Sequence, residues 1–351
     1  MEDVRPMPTA LCVAIMAGGR GLRLWPRSSP RAPKQLQAFF GGPVLLQQSL
    51  AAAGALTPPS LTYVVTAADL AEPTRLLAGP EVRLLTEPRG RDTAACAGLA
   101  ALCIEREHPG AVMLLLPADH WVGDQAAFAR SLRTAANLAA EENCVVTLGI
   151  RPTRPETGYG YIEMAGSHQG VRFIEKPDAG RAAALIAQGN VLWNAGIYAV
   201  RAAGLLDLIG RHLPALHDGL QRIAEALGTE DEERMIAEVY AGLHPISLDY
   251  GVAEKLDRFL VVPADFPWDD LGSWTAFSRV LPPDDDGNLT AGPVRVSDAS
   301  GCLVDTPNLV TTLLGVRDLI IVQDGPHLLI AAADRAQEIK RVAETRAEDG
   351  P

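Results

Sequence analysis

The first half of the chain alternates two patterns that together admit few architectures. Short, almost wholly apolar runs recur at residues 10–17 (ALCVAIMA), 61–66 (LTYVVT), 81–86 (EVRLLT), 111–117 (AVMLLLP) and 144–150 (CVVTLGI). Between them lie Ala- and Leu-rich stretches of helical length, among them residues 92–107 and 127–142. A strand that lacks polar alternation is buried on both faces, and the intervening helices supply the cover. The alternation therefore predicts an α/β fold of Rossmann-like type, with a mostly parallel, mixed sheet and helices on both sides. After residue 151 the pattern loosens into short strands around 159–163, 171–175 and 197–201, followed by helical segments to about residue 241.

The segment LPPDDDGN (281–288) cannot continue a helix or strand. It predicts a division into a large domain, 10–281, and a small C-terminal domain, 288–351. The latter carries the β-like runs VRVSDASGCLVD, LVTTLLGV, DLIIVQD and HLLIAAA, then a polar helix, RAQEIKRVAETR. It reads as a β-rich, β-helix-like appendage.

A formal net charge of −12 argues against nucleic acid as a partner, which usually needs a basic face. No apolar run approaches the ~18 residues of a membrane span. Residues 10–17 could imitate a signal core, but Glu2 and Asp3 against Arg5 is the wrong flanking charge. Cys12, Cys96, Cys103, Cys144 and Cys302 are scattered and form no CxxC, so buried free thiols and a cytoplasmic location are expected.

Against that acidic balance one stretch stands out. From Val4 to Ala68 there are six Lys or Arg residues and no Asp or Glu. The stretch contains a strand, a glycine loop (Gly18, Gly19, Gly21) and two spaced bases, Arg23 and Lys34. Glycines at the carboxyl end of a strand let backbone N–H groups approach an anion. Neither the G-x-G-x-x-G fingerprint nor a Walker loop is present. Lys34 is one of only four lysines in an arginine-rich chain, and lysine offers a compact point charge. The loop reads as a polyphosphate cradle kept free of carboxylates that would quench its bases.

The stretch AGGRGLRLWPRSSPRAPKQ (17–35) resembles the opening motif of the sugar-phosphate nucleotidyltransferases, and its Leu-Trp-Pro is most similar to the mannose-1-phosphate guanylyltransferases. Further matching blocks follow in order: TEPRGRDTAA (86–95), LLPADHWV (115–122), GIRPTRPETGYGYIE (149–163), FIEKPD (173–178), WNAGIY (193–198), SLDYGVAEK (247–255) and WDDLGSW (268–274). The resemblance implies transfer of GMP from GTP to α-D-mannose 1-phosphate, releasing pyrophosphate, by a nucleotidyltransferase domain.

A phosphate monoester has a second pKa near about 6, so the attacking sugar phosphate is already ionised and needs no general base. The protein must align two polyanions and offset their repulsion. Arg23 and Lys34 are the candidates for the triphosphate. By resemblance, Asp119 is the first Mg²⁺ ligand and Asp270 the second, with Asp269 a possible confusion. His120 has no second histidine at ligand spacing and is read as positional. Lys176 is assigned to the sugar 1-phosphate. The resemblance places Glu175, Asn194, Thr157, Gly158 and Tyr159 at the sugar, and Gly18, Gly19, Gly21, Glu87 and Arg91 at the nucleotide. Asp249 and Glu254 lie in a matching block without an evident role.

Leu22 stands where the family usually has Thr, and Asp92 where it has Asn. Asp92 is read either as a helix start or as a nucleotide neighbour of altered charge. A different sugar 1-phosphate such as a heptose, a different base, or a non-catalytic regulatory homologue are the alternatives. The region after 288 is short for an added isomerase module, so a single activity is expected. The oligomeric state stays open, a homodimer included.

Overall fold

The computed structural model describes residues 10–19 and 21–348; of the side chains of Leu22 and residues 345–348 nothing is described. The chain divides into two compact units, and each is assembled from separated stretches.

Of the described residues, unit one holds 10–18, Leu50–Pro117 and Asp124–Phe266. Its centre is a nine-stranded sheet. Along the main path the order is Phe259–Ala264, Val145–Ile150, Val191–Arg201, Val112–Pro117, Leu11–Met16, Thr62–Ala67 and Arg83–Glu87. Four neighbouring pairs run parallel. Val191–Arg201 runs antiparallel to both its neighbours, which makes the sheet mixed. Gly160–Met164 pairs with that strand and with Gly170–Ile174.

Each of the five apolar runs in the first half forms one of these strands. The helix at Asp92–Glu107 also falls where its pattern placed it. Its small residues let it lie deep in the core: at Gly98 an added Cβ would come within 2.8 Å of Leu220. The strand Val191–Arg201 begins well before the expected residues 197–201. Asn194 and Gly196 interrupt its apolar alternation, and the pairing with Val145–Ile150 shifts register between Thr147 and Gly149.

Of the described residues, unit two holds those of Gly19–Ser49, Ala118–Gly123 and 267–348. Its C-terminal part stacks short parallel strands in two sheets: Leu289–Ala291, Leu303–Asp305 and Leu319–Asp324 in one, Val294–Ser297 and Thr311–Leu314 in the other. Parallel pairing of every second short strand, with successive strands falling alternately in two sheets, is the pattern of a β-helix. His327–Ala332 closes the first sheet in antiparallel sense. Asn288 is buried, and its side chain bonds Asp284, Ala299 and Cys302, tying the 281–288 turn to the next coil. The apolar cluster of this unit joins Leu24, Phe39, Trp274, Phe277, Ile320 and Ile339.

All five cysteines are free thiols. Among the described residues no helix is long and apolar enough to cross a membrane.

Candidate active site

Unit two contains a pocket of about 290 Å³ lined by Gly21, Arg23, Lys34, Asp119, His120 and Asp270, together with Lys340. Four sequence-distant stretches meet there, and a small ladder aligns two of them. Trp121–Val122 pairs antiparallel with Trp268–Asp269, in register Trp268 to Val122 and Asp269 to Trp121. The next residues along, His120 and Asp270, thus emerge at the same end.

Strand alternation separates the two neighbouring aspartates. Asp269 is buried; the Arg279 guanidinium donates to both its oxygens at 2.9 and 3.0 Å, and Leu271 N donates to it at 2.9 Å. Asp270 turns into the pocket, with one oxygen accepting from Gly272 N at 3.0 Å. Asp269 is therefore engaged inside the fold by Arg279, and Asp270 is the carboxylate of the pair that lines the pocket.

Lys34 begins a short 3₁₀ turn behind Pro33, and its side chain is only 7% exposed. A buried ammonium must find acceptors. Its Nζ donates to Asp119 Oδ2 at 3.0 Å and to the Asp270 main-chain oxygen. Gly21 has a left-handed φ of +43°, and an added Cβ would lie 3.0 Å from the Lys34 Cβ, so a side chain there would be strained and crowd the lysine. Arg23 is exposed and has no ion-pair partner among the described residues.

The basic stretch is thus not free of carboxylate partners. Lys34 meets Asp119, and Arg27 forks onto buried Asp305 at 2.8 and 3.1 Å. The acids come from far along the chain. Arg20 lies outside the described residues.

Burial pushes the Asp119 carboxyl up, but Lys34 and His120 outweigh it and hold it below its ordinary range. His120 is pushed down, chiefly by burial, with Asp119 opposing. Trp268 Nε1 donates to His120 Nδ1 at 3.2 Å. A ring nitrogen that accepts leaves the proton on the other, so Nε2–H is directed toward Asp119 Oδ1, 4.0 Å away.

Unit one carries a second polar cluster. Asn194 Nδ2 donates to Tyr198 Oη (2.9 Å) and Asp249 Oδ1 (2.7 Å), while its Oδ1 accepts from Thr147 Oγ1 and Gly196 N. Tyr198 Oη donates to the same Asp249 oxygen at 2.5 Å. The Asn194 amide, placed at the sugar by resemblance, is spent inside this network. Asp249, which had no role in the sequence reading, is the acceptor on which the network converges, and it is only partly buried.

Beside it, Lys176 Nζ donates to Glu175 Oε1 at 2.5 Å and sits 5.9 Å over the Tyr250 ring. Burial and Asp249 push Glu175 up. Glu254 accepts from Glu175 N at 3.0 Å, so it fixes this loop. Lys176 has a φ of +43°, a left-handed conformation that costs a non-glycine residue roughly 1 kcal/mol. Its half-exposed ammonium is the cation of this cluster. Thr157 and Gly158 are exposed, whereas Tyr159 is buried edge-on against Trp193 at 5.1 Å.

Of the residues assigned to the nucleotide, Gly18 and Glu87 adjoin. An added Cβ at Gly18 would lie 3.1 Å from Glu87 Oε2. Glu87 is buried, its Oε1 has no hydrogen-bond partner among the described residues, and burial pushes its carboxyl up to about 7. Gly19 is exposed, and its carbonyl accepts from Gln35. Arg91 commits its guanidinium to the Tyr240 and Ala241 carbonyls at 2.6 and 2.9 Å, the C-terminal end of the helix Glu232–Gly242. Cations suit that end of a helix, so this arginine buttresses the fold. Asp92 has a φ of +65° and its carboxylate accepts from Thr93 N. Asn and Asp are the non-glycine residues that tolerate this conformation, which accounts for the exchange of one for the other. The Leu22 side chain lies outside the described residues.

Two residues of these clusters had no role in the sequence reading. Asp249 lay in a matching block, but nothing local showed what it would bond. Lys340 was signalled by the scarcity of lysine but lay in an otherwise polar helix.

Residues 13–286 match the Nucleotidyl transferase family, and residues 294–345 match the MannoseP isomerase/GMP-like beta-helix domain. The chain is 35% identical to the alginate biosynthesis protein AlgA of Pseudomonas aeruginosa over 339 residues, 93% of this chain and 70% of that protein. It is 33% identical to a mannose-1-phosphate guanylyltransferase of Escherichia coli, covering 95% of this chain and 73% of that protein. The crystal structure of mannose-1-phosphate geranyltransferase from Thermus thermophilus superposes with a TM-score of 0.88 at 40% identity, over 96% of this chain and 99% of the other. With the family match covering most of its length and the sheet, the β-helix and the signature loop all in place, this chain belongs to the nucleotidyl transferase family.

Proposed function

We propose that the protein transfers GMP from GTP to α-D-mannose 1-phosphate, yielding GDP-mannose and pyrophosphate. The observation that carries the reading is the unit-two pocket. It gathers two cations of the glycine-loop segment, Arg23 and Lys34, with two carboxylates, Asp119 and Asp270, in one cavity. The choice of guanine and mannose follows the named relatives.

Arg23 and Lys34 bind the triphosphate and offset charge on the departing pyrophosphate. Glycines 18, 19 and 21 let it approach the backbone. The buried Glu87 oxygen, without a partner of its own, is matched to the N–H donors on the guanine edge. Lys176 holds the sugar 1-phosphate. Asp249 and Glu175 accept from sugar hydroxyls, with Asn194 positioning Asp249, and the 157–159 loop lies at the sugar as well. Domain boundaries at 10–281 and 288–351 and a cytoplasmic location complete the reading.

A divalent metal belongs to the chemistry of the family. Among the described residues no group of three or more His, Cys, Asp or Glu could hold one alone. Asp119 and Asp270 are hard oxygen donors on one pocket, and two carboxylates completed by phosphate oxygens suit Mg²⁺. They would hold it, and bound Mg²⁺ would neutralise phosphate charge. Lys34, bonded to Asp119 in the same pocket, would stand beside such a metal and supply a further positive charge to the phosphates.

The test is pyrophosphate release with Mg²⁺ across GTP, ATP, dTTP, UTP and CTP, each paired with mannose, glucose and heptose 1-phosphates. Release confined to GTP with mannose 1-phosphate is expected. Preference for another pair would overturn the specificity, and no release from folded protein would overturn the activity.

A further inference from the structure

We propose that Lys340, on the helix Ile339–Glu348, is a third cation of the triphosphate pocket, so that the β-helix segment contributes directly to nucleotide binding. The inference rests on the reading that this pocket receives a triphosphate.

Lys340 lines the same cavity as Arg23, Lys34, Asp119 and Asp270. The helix is held in place by a narrow apolar stripe: Ile339 and Ala343, four residues apart, are 2% and 6% exposed. Ile339 shares its apolar cluster with Leu24, and the helix packs on the Leu22–Leu24 turn of the signature loop. Lys340 follows Ile339 directly and stands at the rim of that stripe, where its stem reaches the pocket while the ammonium stays hydrated. Its ion-pair partner is Glu344, at 3.4 Å on the same exposed helix face. Such an exposed i,i+4 pair contributes little and is readily exchanged for a phosphate.

Charge gives the functional reason. Without Lys340 the pocket sets Arg23 and Lys34 against Asp119 and Asp270 and is formally neutral. With it the pocket carries an excess positive charge to attract a polyanion. A strongly hydrated point charge on a flexible stem suits a phosphate chain that must enter and leave as pyrophosphate.

The experiment uses the full chain and inorganic tripolyphosphate with Mg²⁺, a probe that has no base or sugar. Binding is measured by titration calorimetry for wild type, Lys340→Ala, Lys340→Arg and Glu344→Ala, alongside KM for GTP and for mannose 1-phosphate. Loss of one charge-assisted contact predicts about tenfold weaker tripolyphosphate binding and a similar rise in KM for GTP in Lys340→Ala, with KM for mannose 1-phosphate unchanged. Lys340→Arg should recover most of the loss, and Glu344→Ala should bind at least as tightly as wild type.

Wild-type affinity in Lys340→Ala, or an equal loss in Glu344→Ala, would overturn the proposal. The first would leave the lysine idle, and the second would show that only the helix matters. Lys340-dependent tripolyphosphate binding in a protein that releases no pyrophosphate from GTP and mannose 1-phosphate would support Lys340 and overturn the guanylyl-transfer reading instead.

Discussion

Unit one and unit two reach polar clusters by different means. In unit one, long stretches of contiguous chain form a sheet, and the cluster around Asp249 hangs on it through hydrogen bonds to strand residues Thr147, Asn194 and Tyr198. In unit two, two short stretches, Gly19–Ser49 and Ala118–Gly123, are joined to each other and to the distant C-terminal part by ion pairs, Lys34 to Asp119 and Arg27 to Asp305, and by a two-residue ladder. The sheet cluster is neutral in part and densely bonded. The pocket is charged, and Lys34 is held by a carboxylate that also serves the proposed metal. The first arrangement fits fixed recognition of sugar hydroxyls. The second fits a group whose charges must be exchanged during turnover.

The sharpest break in this contrast comes from Asp119→Asn. Removing one of two carboxylates at the pocket should lower Mg²⁺-dependent turnover roughly a thousandfold or more while circular dichroism stays native. Retention of a tenth of the activity would remove Asp119 from the reaction.

Asp249→Ala should instead act on stability. It leaves the Tyr198 hydroxyl and the Asn194 amide without their shared acceptor, which costs about 1–3 kcal/mol per stranded donor in denaturant unfolding. An unchanged midpoint would mean the network carries no load.

Glu87 gives a test by pH. Its folded carboxyl is raised from 4.5 to about 7, so across that window the folded chain keeps a proton that the unfolded chain has released. Stability therefore falls as pH rises through the window and is lowest above it. Glu87→Gln should flatten that slope and gain up to about 3 kcal/mol above the window. A parallel slope in the variant would contradict the burial argument.

The smallest effect separates the substrates. Lys176→Ala should raise KM for mannose 1-phosphate about tenfold and leave KM for GTP alone. Because of the left-handed φ, Lys176→Gly should be more stable than Lys176→Ala by about 1 kcal/mol.

The same contrast explains what could be read from the chain alone. Strands such as Leu11–Met16 and the helix Asp92–Glu107 were legible because burial on every side writes itself into contiguous residues. The early part of Val191–Arg201 was not, since Asn194 and Gly196 look like a turn until their bonds are seen. Asp269 and Asp270 could be separated only once the Trp268–Asp269 strand fixed which one points inward. The glycine loop and its bases were legible as one local feature, and Gly21, Arg23 and Lys34 do line a common pocket. That Lys34 is held by Asp119 was invisible, because ion pairs between distant stretches leave no local pattern. The bonds of Arg91 to the Tyr240 and Ala241 carbonyls were likewise invisible in its block, because their acceptors lie some 150 residues away.

Guanylyl transfer requires that the α-phosphate and guanosine of GTP move together onto mannose 1-phosphate. The most direct measurement follows GTP radiolabelled at the α-phosphate, incubated with Mg²⁺ and mannose 1-phosphate. The label should appear in GDP-mannose, with one unlabelled pyrophosphate released for each labelled product. Label recovered as GMP or GDP without nucleotide sugar, or GTP left intact by folded protein, would contradict guanylyl transfer.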